Sequence, residues 1–369
     1  MRLTGLRALA MAGAATLAGV VGAVPGSALE IEVRAMSFNV RYGSAEDGPN
    51  HWLKRRESVI ETLASDDFDF IGLQEALPFQ IEEIAAALPQ FGVLSRTREV
   101  DPAEGEACTV LFRKDRWTLD RRQNGTFWLS ETPDVAGSKS WDAALPRIAT
   151  WGLFSEAETG ARIHVFNTHF DHRGQESRER SAALLRRRVA EYAGDGPLLL
   201  MGDFNSGEDN AAMRLLRAAS ASGPPLVDSF RVVHPDATET YTFNGWGSRS
   251  AGEKIDAIFV RADANVAAAR IARPRFEGRA PSDHDPVTVA LRLKMLETWV
   301  AIVDLGSCRS CAGRIAREME TLESVLRARL HATEPRIQVF HRSLVELPSA
   351  ALADVVRGSG YTPGQIELR

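Results

Sequence analysis

Between residues 31 and 293, short apolar, β-rich runs are bounded again and again by Asn, Glu, His or Asp, and this recurrence constrains the fold more than any other feature. The strand-like runs are Ile31–Asn39, Phe70–Gln74, Thr109–Arg113, Thr150–Phe154, Ile163–Thr168, Leu198–Gly202, Ile255–Val260 and Pro286–Leu293. Between them Lys54–Ala64, Phe79–Leu88, Gln175–Tyr192 and Ala211–Ala219 carry apolar residues at three-to-four spacing, which predicts helices. Interleaved strands and helices imply α/β layering, with sheets covered by helices and polar residues gathered where strands meet loops.

The chain has 369 residues, more than one hydrophobic core usually supports, so a large unit plus a smaller one is expected. Hydrophobic residues at 44% and charged residues at 25% exclude disorder and a polytopic membrane protein. The formal net charge of -5 carries no overall footprint of a nucleic-acid binder, though a local basic cleft stays open. Arg178, Arg180, Arg186, Arg187 and Arg188 crowd one helical run, which reads as a solvated face. Residues 1–28 form an exported leader by pattern: Arg2 and Arg7, then an Ala/Leu/Val/Gly-rich run too short to span a bilayer, then Gly26-Ser27-Ala28. A secreted or periplasmic mature chain, monomeric and without a membrane span, is the expectation.

Hydrolysing a phosphate ester needs a hard cation on oxygen ligands, groups that place and deprotonate a water, and donors for the charge that builds on phosphorus. The strand-end residues supply all three. Asn39 and Glu75 end two runs, and Glu75 suits Mg²⁺ or Mn²⁺, which need only one or two carboxylates. Asn167-Thr168-His169-Phe170-Asp171-His172 places two histidines beside an acid. In Gly202-Asp203-Phe204-Asn205, alternation turns Asp203 and Asn205 to one side, where they could hold a water and a phosphate oxygen. Ile255-Asp256 and Ser282-Asp283-His284 add two acids and a histidine, and Asp256 bonded to His284 would make its ring more basic. Singly, each motif reads as a turn or a solvated edge; His51, His164 and His234 read as ordinary histidines.

In this order and company, Ser37-Phe38-Asn39, Leu73-Gln74-Glu75, Asn167-Thr168-His169, Gly202-Asp203-Phe204-Asn205, Ile255-Asp256 and Ser282-Asp283-His284 resemble the endonuclease/exonuclease/phosphatase (DNase I-like) superfamily. The resemblance implies two packed β-sheets flanked by helices, a four-layer sandwich over residues 29–295. It also implies Asn39, Glu75 and Asp283 around a Mg²⁺ (or Mn²⁺) ion, Asp203 with Asn205 positioning water and phosphate, His284 with Asp256 as an acid/base pair, and His169 donating to a phosphoryl oxygen. The stretch Gly125–Pro133 with Trp141 and Arg147 is similar to a subgroup of bacterial members; Trp128 and Trp141 are expected to wall the pocket and the Arg147 fork to hold a substrate phosphate. No insertion marks a DNA-binding loop or a lipid-binding hairpin, so the phosphate-ester substrate is left open among nucleic acids, phospholipids and inositol phosphates.

From about Met295 the rhythm changes to strand (Trp299–Leu305), helix (Cys308–Leu322), two strands (Leu326–His331, Ile337–His341), helix (Ser349–Gly358) and strand (Gln365–Leu368), a complete ferredoxin-like βαββαβ unit over residues 296–369. Leu305-Gly306-Ser307-Cys308-Arg309-Ser310-Cys311 and Gly360-Tyr361-Thr362-Pro363 resemble the heavy-metal-associated domain of copper chaperones, which implies Cu(I) on Cys308 and Cys311. The usual Met two residues before the first Cys is absent, and a redox pair or a local disulfide are the alternatives. Cys108 reads as a buried small hydrophobe.

Overall fold

A computed structural model describes residues 29–218, 225–302, 308–322, 325–330, 335–342 and 349–368. The expected leader and residues 303–307 before the cysteine pair lie outside the described residues.

In chain order the first half contains β1 (Leu29–Asn39), α1 (Trp52–Leu63), β2 (Phe70–Ala76), α2 (Pro78–Ala87), β3 (Phe91–Leu94), β4 (Ala107–Arg113), β5 (Trp117–Trp128), β6 (Ile148–Glu156), β7 (Arg162–His169) and α3 (Gln175–Ala193). Next come β8 (Leu198–Asp203), α4 (Ala211–Arg217), β9 (Leu226–Asp228), α5 (Ser229–Val233), β10 (Asp256–Arg261), β11 (Asn265–Ile271) and β12 (Val287–Ile302). The chain closes with α6 (Arg309–Met319), β13 (Val325–Leu330), β14 (Arg336–Arg342), α7 (Ser349–Gly358) and β15 (Pro363–Leu368).

One sheet runs β12-β1-β2-β4-β3 with β11 also on β12; the other runs β5-β6-β7-β8-β10-β9. Side-chain alternation sorts three apolar layers. Ile31, Val33 and Ala35 of β1, Ile163 and Val165 of β7, Leu199 and Met201 of β8, and Ile258 and Val260 of β10 form one core between the sheets. Met36, Phe38, Ile71 and Leu73 face the opposite way, under Val59 and Leu63 of α1 and Ile81 and Ile84 of α2. Phe166, Leu198, Leu200 and Phe259 pack beneath Leu184, Leu185 and Val189 of α3 and Met213 of α4. The result is the expected four-layer sandwich.

Polar stitches tie the sheets together near the site end. Gln74 Nε2 donates to Asn167 Oδ1 at 2.6 Å across the sheet interface, and Asn167 Nδ2 donates to Leu73 O and Thr109 O, both at 2.8 Å. A Cβ on Gly72 would stand 2.9 Å from Asn167 Oδ1, so only glycine lets the amide through. β5 went unread because Asp120–Asn124 are polar, and its register slips there against β6 between Leu119 and Asn124.

β12 crosses the expected boundary without a break. It pairs with β1 up to Leu29↔Met295 and with β14 from Met295↔Arg342 onward, so the strand exchanges neighbours at the residue where the sequence changes rhythm. Its second half joins an antiparallel order β15-β12-β14-β13, the ferredoxin-like arrangement, with Ile315, Met319, Leu352 and Val356 of α6 and α7 packed on Val300, Ile302, Ile337 and Val339. Phe340 points to the other side, into the core between the two large sheets, and Arg329 Nη1 donates to Glu158 O at 2.9 Å.

Candidate active site

The inter-sheet face of each central strand ends in a polar residue at the same edge. Continuing the alternation of Ile31, Val33 and Ala35 brings Asn39 to that face; Ile163 and Val165 bring His169, Leu199 and Met201 bring Asp203, and Asp256 leads into Ile258 and Val260. Parallel pairing sets His169 opposite Asp203, and antiparallel pairing sets Asp256 opposite Asp203. Glu75 departs from the rule: strict alternation would send it outward with Ile71 and Leu73. A φ of 63° and a register shift against β4 between Leu73 and Ala76 turn it toward Asn39 instead.

The residues converge tightly. Asn39 Nδ2 donates to Asp203 Oδ2 at 2.9 Å and to Glu75 Oε1 at 3.1 Å, while Asn39 Oδ1 accepts from Arg41 N. Asn205, at φ 47°, donates its backbone N–H to Asp203 Oδ1 at 2.9 Å. His284 Nδ1 donates to Asp256 Oδ2 at 2.8 Å, and its Nε2 stands 3.8 Å from Asp203 Oδ2. Thr242 Oγ1 accepts from the backbone N–H groups of Ile255 and Asp256, both at 3.0 Å, and so fixes the strand end. Ser282 Oγ donates to Asn39 O at 2.7 Å, which joins the Asp283 loop to β1.

Charge in the cleft is mostly negative. Burial pushes the Asp203 carboxyl up from its usual value, and the nearby Asp256 charge adds to it, while the His284 cation pulls the other way. Burial works against a charged His284, yet the Asp256 and Asp203 carboxylates outweigh it and hold the ring well above the ordinary histidine range. Burial also raises Asp283. Glu75, His169 and Asp203 offer ligand atoms within 4.8 Å of one another, as do Asp203, Asp256 and His284. Glu75, Asp203 and Asp283 crowd together, and the cation pairing with the rim is Arg41, 3.9 Å from both Glu75 and Asp283. Such an oxygen-rich, anionic donor set fits a hard divalent cation at Glu75, whereas Asn39, expected as a ligand, turns its amide nitrogen toward Glu75 and Asp203 and its oxygen to Arg41 N.

Arg147 lies elsewhere than expected. It is buried, and its fork is spent on two rings, Nη1 to His169 Nδ1 and Nη2 to His172 Nδ1, both at 3.0 Å. The crevice it lines with Arg98, Glu106 and Cys108 holds about 10 Å³, room for a water but not a phosphate. An arginine only donates, so His169 Nδ1 must accept, which leaves the ring proton on Nε2, toward Asp203 Oδ2 at 3.4 Å. Burial and the Arg147 charge keep His169 neutral, well below its usual pKa. The Asn205 Nδ2 amide, which donates to Phe170 O at 3.0 Å, also stands 3.0 Å from His169 Nε2, so two donor groups line this side of the cleft.

Trp128 is also corrected. It is buried with Cys108 and Ile148, and its Nε1 donates to Arg98 O at 2.7 Å, so it packs rather than walls the pocket. Trp141 is partly exposed at φ 56°, beside Asp142, which caps α3 by accepting from Ser177 N at 2.7 Å. The arginine-rich helix is not simply a solvated face: Arg186 is buried, and Arg188 pairs with Asp134 and donates to Tyr192 Oη. Cys108 is buried, its thiol pushed up to about 12 by burial. Cys308 and Cys311 are joined as a disulfide, with Cys308 Sγ accepting from Cys311 N at 3.3 Å.

Residues 36–284 match the endonuclease/exonuclease/phosphatase family. The chain belongs to that family. A member from Bacteroides vulgatus shares 32% identity over 71% of this chain and 98% of its own, at a TM-score of 0.64. A mannosyl-6-phosphatase of Bacteroides thetaiotaomicron shares 31% identity over 70% of this chain and 99% of its own, at a TM-score of 0.62. An uncharacterized protein of Acanthamoeba polyphaga mimivirus is 26% identical over 163 residues, 42% of this chain, and the match spans 59% of the viral protein. As a family member the chain is a hydrolase of phosphate esters. Among the described residues no helix is long and apolar enough to cross a membrane.

Proposed function

We propose that the protein is a divalent-metal-dependent phosphomonoesterase whose substrate is a sugar phosphate. The observation that carries this reading is the 31% identity to a mannosyl-6-phosphatase over 99% of that enzyme, supported by the close approach of Glu75, His169 and Asp203 and of Asp203, Asp256 and His284. A cation held at Glu75 would polarise the phosphoryl group. The remaining steps fall to the chain itself. Asp203, oriented by Asn39 and the Asn205 N–H and poised by its raised pKa, takes the proton of the attacking water. Neutral His169 and the Asn205 amide donate to phosphoryl oxygens, and the His284 cation, held by Asp256, offsets the charge that develops on them.

Export belongs to the same reading; the leader-like start and the Cys308–Cys311 disulfide support an oxidising compartment. A soft-metal role for the cysteine pair is a second reading that requires the disulfide first to be reduced. The deciding assay compares hexose 6-phosphates and p-nitrophenyl phosphate with bis-p-nitrophenyl phosphate and DNA, each with Mg²⁺ or Mn²⁺. Preference for the diester or for DNA would reject the monoesterase reading, and unchanged turnover after chelation would reject the metal.

A further inference from the structure

Six non-glycine residues adopt a positive φ among the described residues: Arg41, Glu75, Trp141, Asn205, Trp246 and Glu277. Such backbone persists where its surroundings over-determine it, and it gathers at functional sites. Glu75 and Asn205 are part of the catalytic cluster, and Arg41 pairs with Glu75 and Asp283. Trp246, at φ 65°, has no such account, and neither catalysis nor the sandwich core uses it.

The loop that carries Trp246 is fastened to the catalytic loop. The backbone N–H groups of Asn244 and Gly245 both donate to Asp283 O, at 2.8 and 3.0 Å. Asn244 Nδ2 donates to Ser282 O and to Asp285 Oδ1, and Asn244 Oδ1 accepts from Gly247 N at 2.9 Å. Gly245 and Gly247 are also at positive φ, 55° and 81°, so three successive residues hold the left-handed turn and Trp246 is the one bearing a side chain. A glycine would adopt that turn without strain. The ring is partly exposed, and the guanidinium of Arg55 lies 5.2 Å from its centroid. Arg55 in turn donates to Val40 O, Arg41 O and Pro281 O, the two loops that carry Asn39 and Asp283 to the cleft. The strained turn therefore holds the indole over Arg55, beside the loops that carry Asn39 and Asp283.

We propose that Trp246 is the specificity-determining platform for the leaving group, its face stacking on the C–H face of a sugar ring. This rests on the sugar-phosphate reading. An indole face carries a negative quadrupole and gains nothing from a phosphate, whereas it buries apolar ring surface at low entropic cost.

The test compares wild type, Trp246→Gly and Trp246→Phe on a hexose 6-phosphate and on glycerol phosphate, which lacks a ring. For Trp246→Gly the KM on the hexose ester should rise about tenfold more than on glycerol phosphate, with Trp246→Phe recovering most of the loss. Because glycine accepts the turn, the melting temperature of Trp246→Gly should stay level or rise. An equal KM change on both esters, or a lowered melting temperature with both activities reduced together, would overturn the proposal and mark Trp246 as structural. Calorimetric binding of the hexose ester separates this from the parent reading. If wild type binds it without turnover and Trp246→Gly binds about tenfold more weakly, the platform stands while the enzymatic reading fails; no binding, or equal binding, removes the platform.

Discussion

The two halves of β12 teach different lessons about how a chain builds chemistry. At its start, Asp283 and His284 lead into Val287 and meet Asn39, Glu75, His169, Asp203 and Asp256, residues drawn from strands of both sheets. At its far end stand Cys308 and Cys311, three positions apart at the mouth of α6. The first arrangement exists only when two sheets pack in register; the second needs one turn of chain. The 16-residue strand that lies between them would measure roughly 50 Å if straight.

If the convergent site is the catalytic one, Asp203→Ala should lower kcat by at least about a thousandfold with hexose phosphate and Mg²⁺, while Cys308→Ser changes it less than about twofold. Loss of activity in the cysteine variant would break the comparison at once. Next in size, His284→Ala should lower kcat about a hundredfold. Asp256→Asn sharpens the electrostatic part. Since the folded pKa of His284 is raised, its pairing stabilises fully below about pH 6.5 and is lost as pH rises through the folded value. The Asn variant should then lose about 3 kcal/mol by urea titration at pH 6 and clearly less at a pH above the folded value of His284. Its alkaline activity limb should move to lower pH, because the imidazolium has lost its carboxylate. Equal destabilisation at both pH values would dismiss the ion pair.

Arg147 gives a smaller effect and a cleaner mechanism. Arg147→Met removes the donor that fixes His169 Nδ1 as an acceptor, so kcat should fall about tenfold. Nitrogen-resolved NMR of the His169 ring should show a mixture of tautomers in the variant where the wild type shows a protonated Nε2 alone. A raised KM with kcat and tautomer intact would instead return Arg147 to phosphate binding.

How much of this was legible in the sequence follows from the same contrast. Strand-end polarity is local, so Asn39, Glu75, His169, Asp203 and Asp256 stood out as polar residues closing or opening apolar runs, with roles that came from the family resemblance, and the tail was readable from its βαββαβ rhythm. Partnership is not local. That Gln74 and Asn167 stitch the sheets, that Thr242 clamps Asp256 and that Arg147 stands behind His169 depend on which strands become neighbours. That Trp128 packs in the core was hidden because alternation within β5 is interrupted by its polar, slipped middle. The turn at Asn244-Gly245, whose N–H groups bind Asp283 O, went unread. The disulfide was one of several readings, since spacing alone does not distinguish a bond from a metal pair.

The smallest effect lies at the local end. Breaking Cys308–Cys311 with Cys308→Ser opens a loop of only a few residues, so the entropy it restrains is small and the loss should be about 1–2 kcal/mol. That loss should be confined to the tail, whose core of Ile315, Met319, Leu352 and Val356 is separate from the layer between the large sheets. Hydrogen exchange can read it: amides of α6 and of β13 should exchange faster in the variant, while those of β7 and β8 keep their protection. Because β12 is common to both units and Phe340 enters the main core, coupling has a physical route. Faster exchange in β8, or a changed hexose phosphate KM, would show that the shared strand transmits the disulfide's state, and the two ends would then have to be treated as one cooperative unit.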